Sequence, residues 1–193
     1  NSVLMLADLN DAVTEIFQFR ELLKDIVFAA MNSPDEYLDK VFKVYEQFVD
    51  LVETFDEFTV DEIQTFLDDT LSKYSQKPFF PVLAGLYVNA LLNRAFRSNH
   101  KIEIDLGTFC AKVIEGANQD QNTQDAAPSA EEVGFSLDYL GYLLPDEKTL
   151  VINGPVGDFC GALMGENSTI IVNGLHGKHF GYVKDPSAKI VSQ

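Results

Sequence analysis

The sequence predicts an α+β protein in two parts, an N-terminal bundle of helices followed by a short parallel β-solenoid. Three observations carry this. Residues 149–154, Thr-Leu-Val-Ile-Asn-Gly, are echoed by residues 169–174, Thr-Ile-Ile-Val-Asn-Gly; Gly154, Gly157 and Gly161 recur as Gly174, Gly177 and Gly181, all shifted by 20, and Ile190-Val191 opens a third copy. A fixed period built from a short β-branched run and spaced glycines is the signature of stacked coils, one repeat per coil. Upstream, apolar residues fall at spacings of three and four, the period of an amphipathic helix. Between the two lies a run without apolar pattern, residues 116–128, which has nothing to bury against the entropy of ordering it. The expected division is therefore an acidic helical domain over 1–116, a polar linker and capping segment over 117–148, and the repeat over 149–193.

The helices follow in order. Leu9, Val13, Ile16, Phe19, Leu23, Ile26 and Ala30 form one apolar stripe across residues 8–31. Ser33-Pro34-Asp35-Glu36 offers an N-cap, a proline at the first helical position and acids against the positive helix end, and starts a second helix carrying Leu38, Val41, Tyr45, Phe48, Val52 and Phe55. Thr59-Val60-Asp61-Glu62 is a capping box opening a third helix through Ile63, Phe66, Leu67 and Leu71. Beyond Pro78 and Pro81, residues 82–96 are nearly continuous in apolar side chains, as in a central helix buried on most sides. Its Asn89 and Asn93, one turn apart, are expected to bond backbone or to lie at a wet edge, with ligand binding as the other reading. Ile102-Glu103-Ile104-Asp105-Leu106 alternates with period two and predicts a short strand, and residues 108–115 one or two helical turns. A second capping box, Ser129-Ala130-Glu131-Glu132, predicts a short helical segment up to Pro145 that would cap the first coil.

Stacking at about 4.8 Å makes the repeat explicit. Leu150 should lie on Ile170 and Ile190, Val151 on Ile171 and Val191, and Ile152 on Val172, with Asn153 and Asn173 forming an amide ladder and Asp158 meeting Lys178 as an opposite-charge pair. The glycines belong at corners that need positive φ or close backbone approach. Both end coils would expose unpaired backbone groups, so a helical segment or a second subunit should cover them.

The pattern Val151-Ile152-Asn153-Gly154-Pro155-Val156-Gly157-Asp158-Phe159-Cys160-Gly161-Ala162-Leu163-Met164-Gly165, followed by residues 168–174, resembles the GXGXG repeat domain at the C-terminus of the glutamate synthase large subunit and is similar to the repeat-bearing subunit of formylmethanofuran dehydrogenase. The resemblance is confined to residues 149–193. It implies a right-handed parallel β-helix with a structural, interdomain role and no catalytic residues of its own. Residues 1–116 carry nothing like the catalytic, flavin or iron–sulfur parts of those enzymes, and Gly165 is replaced by Asp185 in the second copy.

Charge narrows the partners. Net charge is −16, yet residues 149–193 balance Asp158, Glu166 and Asp185 against Lys178, Lys184 and Lys189, so the excess lies upstream. Such a surface repels phosphate backbones and anionic bilayers, so neither nucleic acid nor membrane is an expected partner. Cys110 and Cys160 lack CxxC partners and read as reduced thiols, and no basic leader or bilayer-length apolar run is present; a cytoplasmic protein is expected. Among chemical candidates, His176 and His179 stand three apart and could hold a metal, while His100 stands alone; the acid clusters Asp56-Glu57, Asp61-Glu62 and Asp68-Asp69 have no His or Cys nearby. No catalytic residue is assigned and no cofactor is called for. The leading expectation is a non-catalytic scaffold or interaction protein that oligomerises or docks to a larger enzyme. The alternative is a small-molecule or metal-dependent enzyme with a site between helices and solenoid near His176, His179 and Asn93, and a third reading gives the acidic helices a regulatory role through a basic partner.

Overall fold

A computed structural model describes residues 2–24, 33–120 and 136–193. The end of the first expected helix, most of the polar run 116–128 and the Ser129 capping box lie outside the described residues. Helix α1 (Ser2–Ile16) passes through a 3-10 turn (Phe17–Phe19) into further helical residues, and α2 (Pro34–Glu53), α3 (Val60–Asp69) and α4 (Phe80–Ala95) follow. Strand β1 (Lys101–Asp105) and helix α5 (Gly107–Asp120) complete this part, and β2 (Thr149–Asn153), β3 (Thr169–Asn173) and β4 (Lys189–Ser192) come from the repeat. No helix among the described residues is long and apolar enough to cross a membrane.

Local chemistry accounts for the helix starts. The Thr59 hydroxyl accepts the Glu62 N–H at 3.2 Å while the Glu62 carboxylate takes the Thr59 N–H at 2.7 Å, the reciprocal bonds of a capping box. Ser33 stands extended at the N-cap of α2 but its side chain makes no capping bond; Pro34, in the first turn, starts the helix without it. Helix α4 is buried on most sides, from Phe80 through Leu92, because Leu83, Leu86, Tyr87, Val88 and Leu91 point to several faces at once.

The four strands form one parallel sheet in the order β1-β2-β3-β4. Leu150 pairs with Ile170 and Ile170 with Ile190, Val151 with Ile171 and Ile171 with Val191, and Ile152 with Val172, the register that the 20-residue shift dictates. The period-two strand at Ile102 joins the same sheet: Ile102 pairs with Leu150 and Ile104 with Ile152. Its alternation, with Ile102 and Ile104 buried between exposed Lys101, Glu103 and Asp105, adds one more rung to the inward ladder. Helical and strand side chains share one hydrophobic core.

Residues 136–144 are not the capping helix that their sequence suggests. They are a run of turns that continues to Glu147, with Tyr139, Gly141, Leu143 and Glu147 at φ 63°, 75°, 53° and 62°, and Phe159, Gly161, Leu163 and Asn167 repeat those values at 58°, 70°, 54° and 53°. The 20-residue period therefore begins at least one half-coil upstream of β2, giving a first coil (136–153), a second (154–173) and a third (174–193). The turns bury Leu137, Tyr139, Leu140, Tyr142 and Leu144, a spacing that imitates a helix stripe in one dimension. Main-chain bonds join the coils at matching positions: Tyr139 N–H to Asp158 O and Phe159 N–H to Lys178 O, both 2.9 Å; Leu143 N–H to Ala162 O at 3.0 Å; Leu163 N–H to Tyr182 O at 2.9 Å.

Helix α4 seats the first coil. The Asp138 N–H donates to Pro81 O at 2.9 Å, and a Cβ on Gly85 would stand 1.8 Å from Asp138 O, so only glycine allows this approach. Asn89, fully buried, accepts the Gly141 N–H at 2.8 Å and donates to Tyr142 O at 2.7 Å. The asparagines of α4 are backbone partners: Asn93 also reaches Tyr142 O, at 3.1 Å, and the Tyr45 hydroxyl at 2.7 Å. Removing Asn89 strands a buried donor in the turn, with a penalty of about 1–3 kcal/mol per orphaned group. Asn89→Ala is expected to cost more than about 2 kcal/mol in urea unfolding, and Asn93→Ala, which leaves Tyr142 O bonded to Asn89, to cost less; equal losses would contradict the clamp.

Candidate functional site

The third coil is the exposed end of the stack, and it holds His176 and His179, the pair singled out in the sequence for metal binding. Tyr139, Phe159 and His179 occupy one position in successive coils, each with left-handed backbone. A positive φ costs a bulky residue roughly 1–2 kcal/mol, and at Tyr139 and Phe159 the inter-coil hydrogen bond and ring contacts offset it. The rings of Tyr139 and Phe159 stack at 5.1 Å and 3°, and those of Phe159 and His179 at 4.6 Å and 15°. Tyr182 stands edge-on to His179 at 5.4 Å, and its hydroxyl donates to Asp35 Oδ1 at 3.0 Å, tying the third coil to the first turn of α2. Tyr37, on the same helix, lies 5.4 Å from Phe159. Tyr139 is fully buried and Phe159 nearly so, whereas His179 is exposed.

His176 is held separately. Its ring stacks on Phe180 at 4.0 Å, and its Nδ1 lies 2.8 Å from Gly177 O, a contact that requires the proton on that nitrogen. The two histidines thus have different ring partners, and no group of three or more His, Cys, Asp or Glu among the described residues is placed to hold a metal. Asn93 is not beside them. It is bonded to Tyr142 in the first coil, two coils from His179, or roughly 10 Å along a stack of 4.8 Å steps.

The outer rim of this coil is partly closed by its own side chains. Lys148 O and Ser168 O each accept from the next coil, through Thr169 N–H and Lys189 N–H at 2.9 Å; the equivalent Ala188 O accepts from Lys184 Nζ at 2.9 Å. Gly157 O accepts the Gly177 N–H, and the equivalent Gly177 O meets His176. The Ser187 N–H turns back to Asp185 Oδ1 at 2.9 Å. Leu175, Val183 and Val191 lie exposed on the same coil, at 60%, 61% and 45%. Along the Val151, Ile171 and Val191 ladder, Val151 is 7% exposed, Ile171 half-buried and Val191 45% exposed, so exposure rises as stacked neighbours are lost.

The repeat residues behave largely as their spacing demands. Asn173 Nδ2 donates to Asn153 Oδ1 at 2.7 Å, and Asn153 Nδ2 continues the ladder to Glu103. Gly154 and Gly174 sit at φ 130° and 159° and Gly161 and Gly181 at 70° and 67°, as corners; Gly157 and Gly177 leave no room for a Cβ beside Asp138 and Asp158. Asp158 and Lys178 do not meet through their charges. The Asp158 carboxylate accepts the backbone N–H of Lys178 at 2.8 Å, a fixed donor that needs no ordering of a long side chain. Both cysteines are free, and burial pushes the Cys160 thiol up to about 12. Glu57, Asp61 and Glu62 line a cleft of about 780 Å³ with Arg94 and Arg97. Both guanidinium groups are already engaged: Arg94 with Val52 O, Phe55 O and the Phe58 ring, and Arg97 with Glu53.

One group was missed by sequence reasoning. Asp138 stands 20 residues before Asp158, and its Oδ1 accepts the Asp158 N–H at 2.8 Å. Extending the period upstream would have found it. Burial at the joint with α4 pushes its carboxyl up to about 7, the Asp158 N–H opposes that shift, and the charge of Asp158 adds to it.

No protein-family model, no curated protein and no solved structure matches this chain.

The Asp138 geometry sets a pH dependence. Because the folded carboxyl titrates near 7 and the unfolded one near 3.8, the folded state holds the extra proton between those values, and this residue's contribution falls as pH rises from about 4 to about 7. Asp138→Asn keeps an acceptor for the Asp158 N–H and is expected to flatten that part of the stability–pH curve measured by urea unfolding; an unchanged slope would remove Asp138 from it.

Proposed function

We propose that this chain is a non-catalytic interaction module, built on a short right-handed parallel β-helix of the GXGXG type, that oligomerises or docks to a larger enzyme through its third coil. One observation supports the reading above others. Leu175, Val183 and Val191, each close to or above half exposed, share one coil whose outer rim its own side chains close only in part. An exposed, clustered apolar surface beside open strand edges is the usual mark of a contact face rather than of a solvated surface. The engagement of His176 and His179 with ring partners, and of Asn89 and Asn93 with backbone, leaves those polar groups in positioning roles. The GXGXG resemblance points the same way, toward structural contact.

The expected behaviour is a dimer or a defined partner complex by light scattering and by affinity capture from host extract. The combined variant Leu175→Asp, Val183→Asp and Val191→Asp is expected to abolish it, while Phe42→Asp, an exposed apolar site on α2, leaves it intact. A wild-type chain that stays monomeric and captures nothing that the combined variant loses would overturn the reading.

A further inference from the structure

We infer that the third coil receives an extended, acidic segment of a partner protein, added as a fifth strand along the outer edge of β4. The inference rests on the docking reading and specifies its partner. The sheet has two edges that are treated differently. At β1 the Gln64 side chain of α3 pairs with the last residue of the edge, accepting the Asp105 N–H and donating to Asp105 O, each at 2.8 Å. At the other edge β4 has β3 as its one neighbour among the described residues, and Lys189, Val191 and Ser192 are exposed. A row of unpaired strand amides and carbonyls is matched by main chain in extended form, which neither a helix nor a loose side-chain contact supplies.

Charge selects the chemistry of that strand. The first coil carries Asp138, Asp146 and Glu147 against Lys148, and the second carries Asp158 and Glu166 with no base. The third reverses sign, with Lys178, Lys184 and Lys189 against Asp185, on a chain whose net charge is −16. Lys184 is committed to Ala188 O, which leaves Lys189 on the strand itself and Lys178 on the adjoining turn to meet carboxylates. A second copy docking by the same coil would set these lysines against their own equivalents, so like charges disfavour it. The register sets the pattern: apolar side chains over Ile190 facing inward, alternating with acids beside Lys189.

The test uses two synthetic peptides, acetyl-Glu-Val-Glu-Val-Glu-Val-Glu-amide and its counterpart with lysine at every glutamate, titrated into the full chain and followed by backbone amide NMR. The acidic peptide is expected to shift the amides of β4 and of the turn at Lys178, to bind about tenfold more tightly than the lysine peptide, and to weaken several-fold as salt is raised. The double variant Lys178→Glu and Lys189→Glu, which spares the capping Lys184, is expected to reverse the preference. Equal affinity for the two peptides, shifts elsewhere than the third coil, or no binding of the acidic peptide at about 1 mM would overturn the inference. So would a dimer through this coil that is insensitive to salt, since the occupant would then be a second copy. Partner capture that depends on Leu175, Val183 and Val191 but not on the lysines would sink this inference alone; loss of both results would sink the docking reading as well.

Discussion

A peptide group in this stack finds its partner in the neighbouring coil, 19 to 21 residues away, and that single constraint shapes most of the molecule. A helix satisfies its own backbone, whereas a coil here cannot: the N–H groups of Tyr139, Leu143, Phe159 and Leu163 all reach to the following coil. Each coil must therefore be seated on something, and the first is seated on α4. The Asn89 amide bonds both an N–H and a C=O of the turn at 141–142, Pro81 O takes the Asp138 N–H, and Gly85 lets the two backbones approach. Helical and repeat parts consequently share a core, and β1, drawn from the helical sequence, lies in register with the repeat.

The same constraint explains how a run of residues with unfavourable backbone persists. Left-handed conformations at Tyr139, Phe159 and His179 each cost about 1–2 kcal/mol. A net hydrogen bond returns about 1 kcal/mol and an aromatic pair about 0.5–1.5. The balance closes where the N–H reaches the following coil and rings pack on the side chain, as at Tyr139 and at Phe159, stacked between Tyr139 and His179. His179 has a ring on one face. The outermost coil is thus the least supported by its own chain, and its side chains partly compensate through the bonds of Lys184, His176 and Asp185 to its rim.

Electrostatics follow from backbone needs before charge pairing. Asp138, Asp146 and Asp158 each accept an N–H from the following coil at 2.8 Å, so carboxylates that look like partners for lysine act as rungs between coils. Carboxylate acceptors hold fixed backbone donors more cheaply than they order a flexible ammonium. Lysines of the third coil are in this way left to its outer side, giving that coil a sign opposite to the rest of the chain.

Much of this was legible in one dimension. The shift of 20 determined the strand register, the Asn153–Asn173 ladder and the glycine corners, because stacking makes equivalent positions neighbours whatever surrounds them. The helices α2, α3 and α4 followed from apolar period and from caps, which act within a few residues. Tertiary structure alone decided three things. It seated 136–144 on α4, a contact that the 20-residue echo of Asp138 in Asp158 and Gly141 in Gly161 does not reveal. It placed β1 in the sheet, because pairing across 48 residues, from Lys101 to Thr149, leaves no local trace. And it turned Asp158 from Lys178's charge to its N–H, since the competition between a fixed backbone donor and a mobile ammonium is settled by distance and solvent, which residue order does not encode.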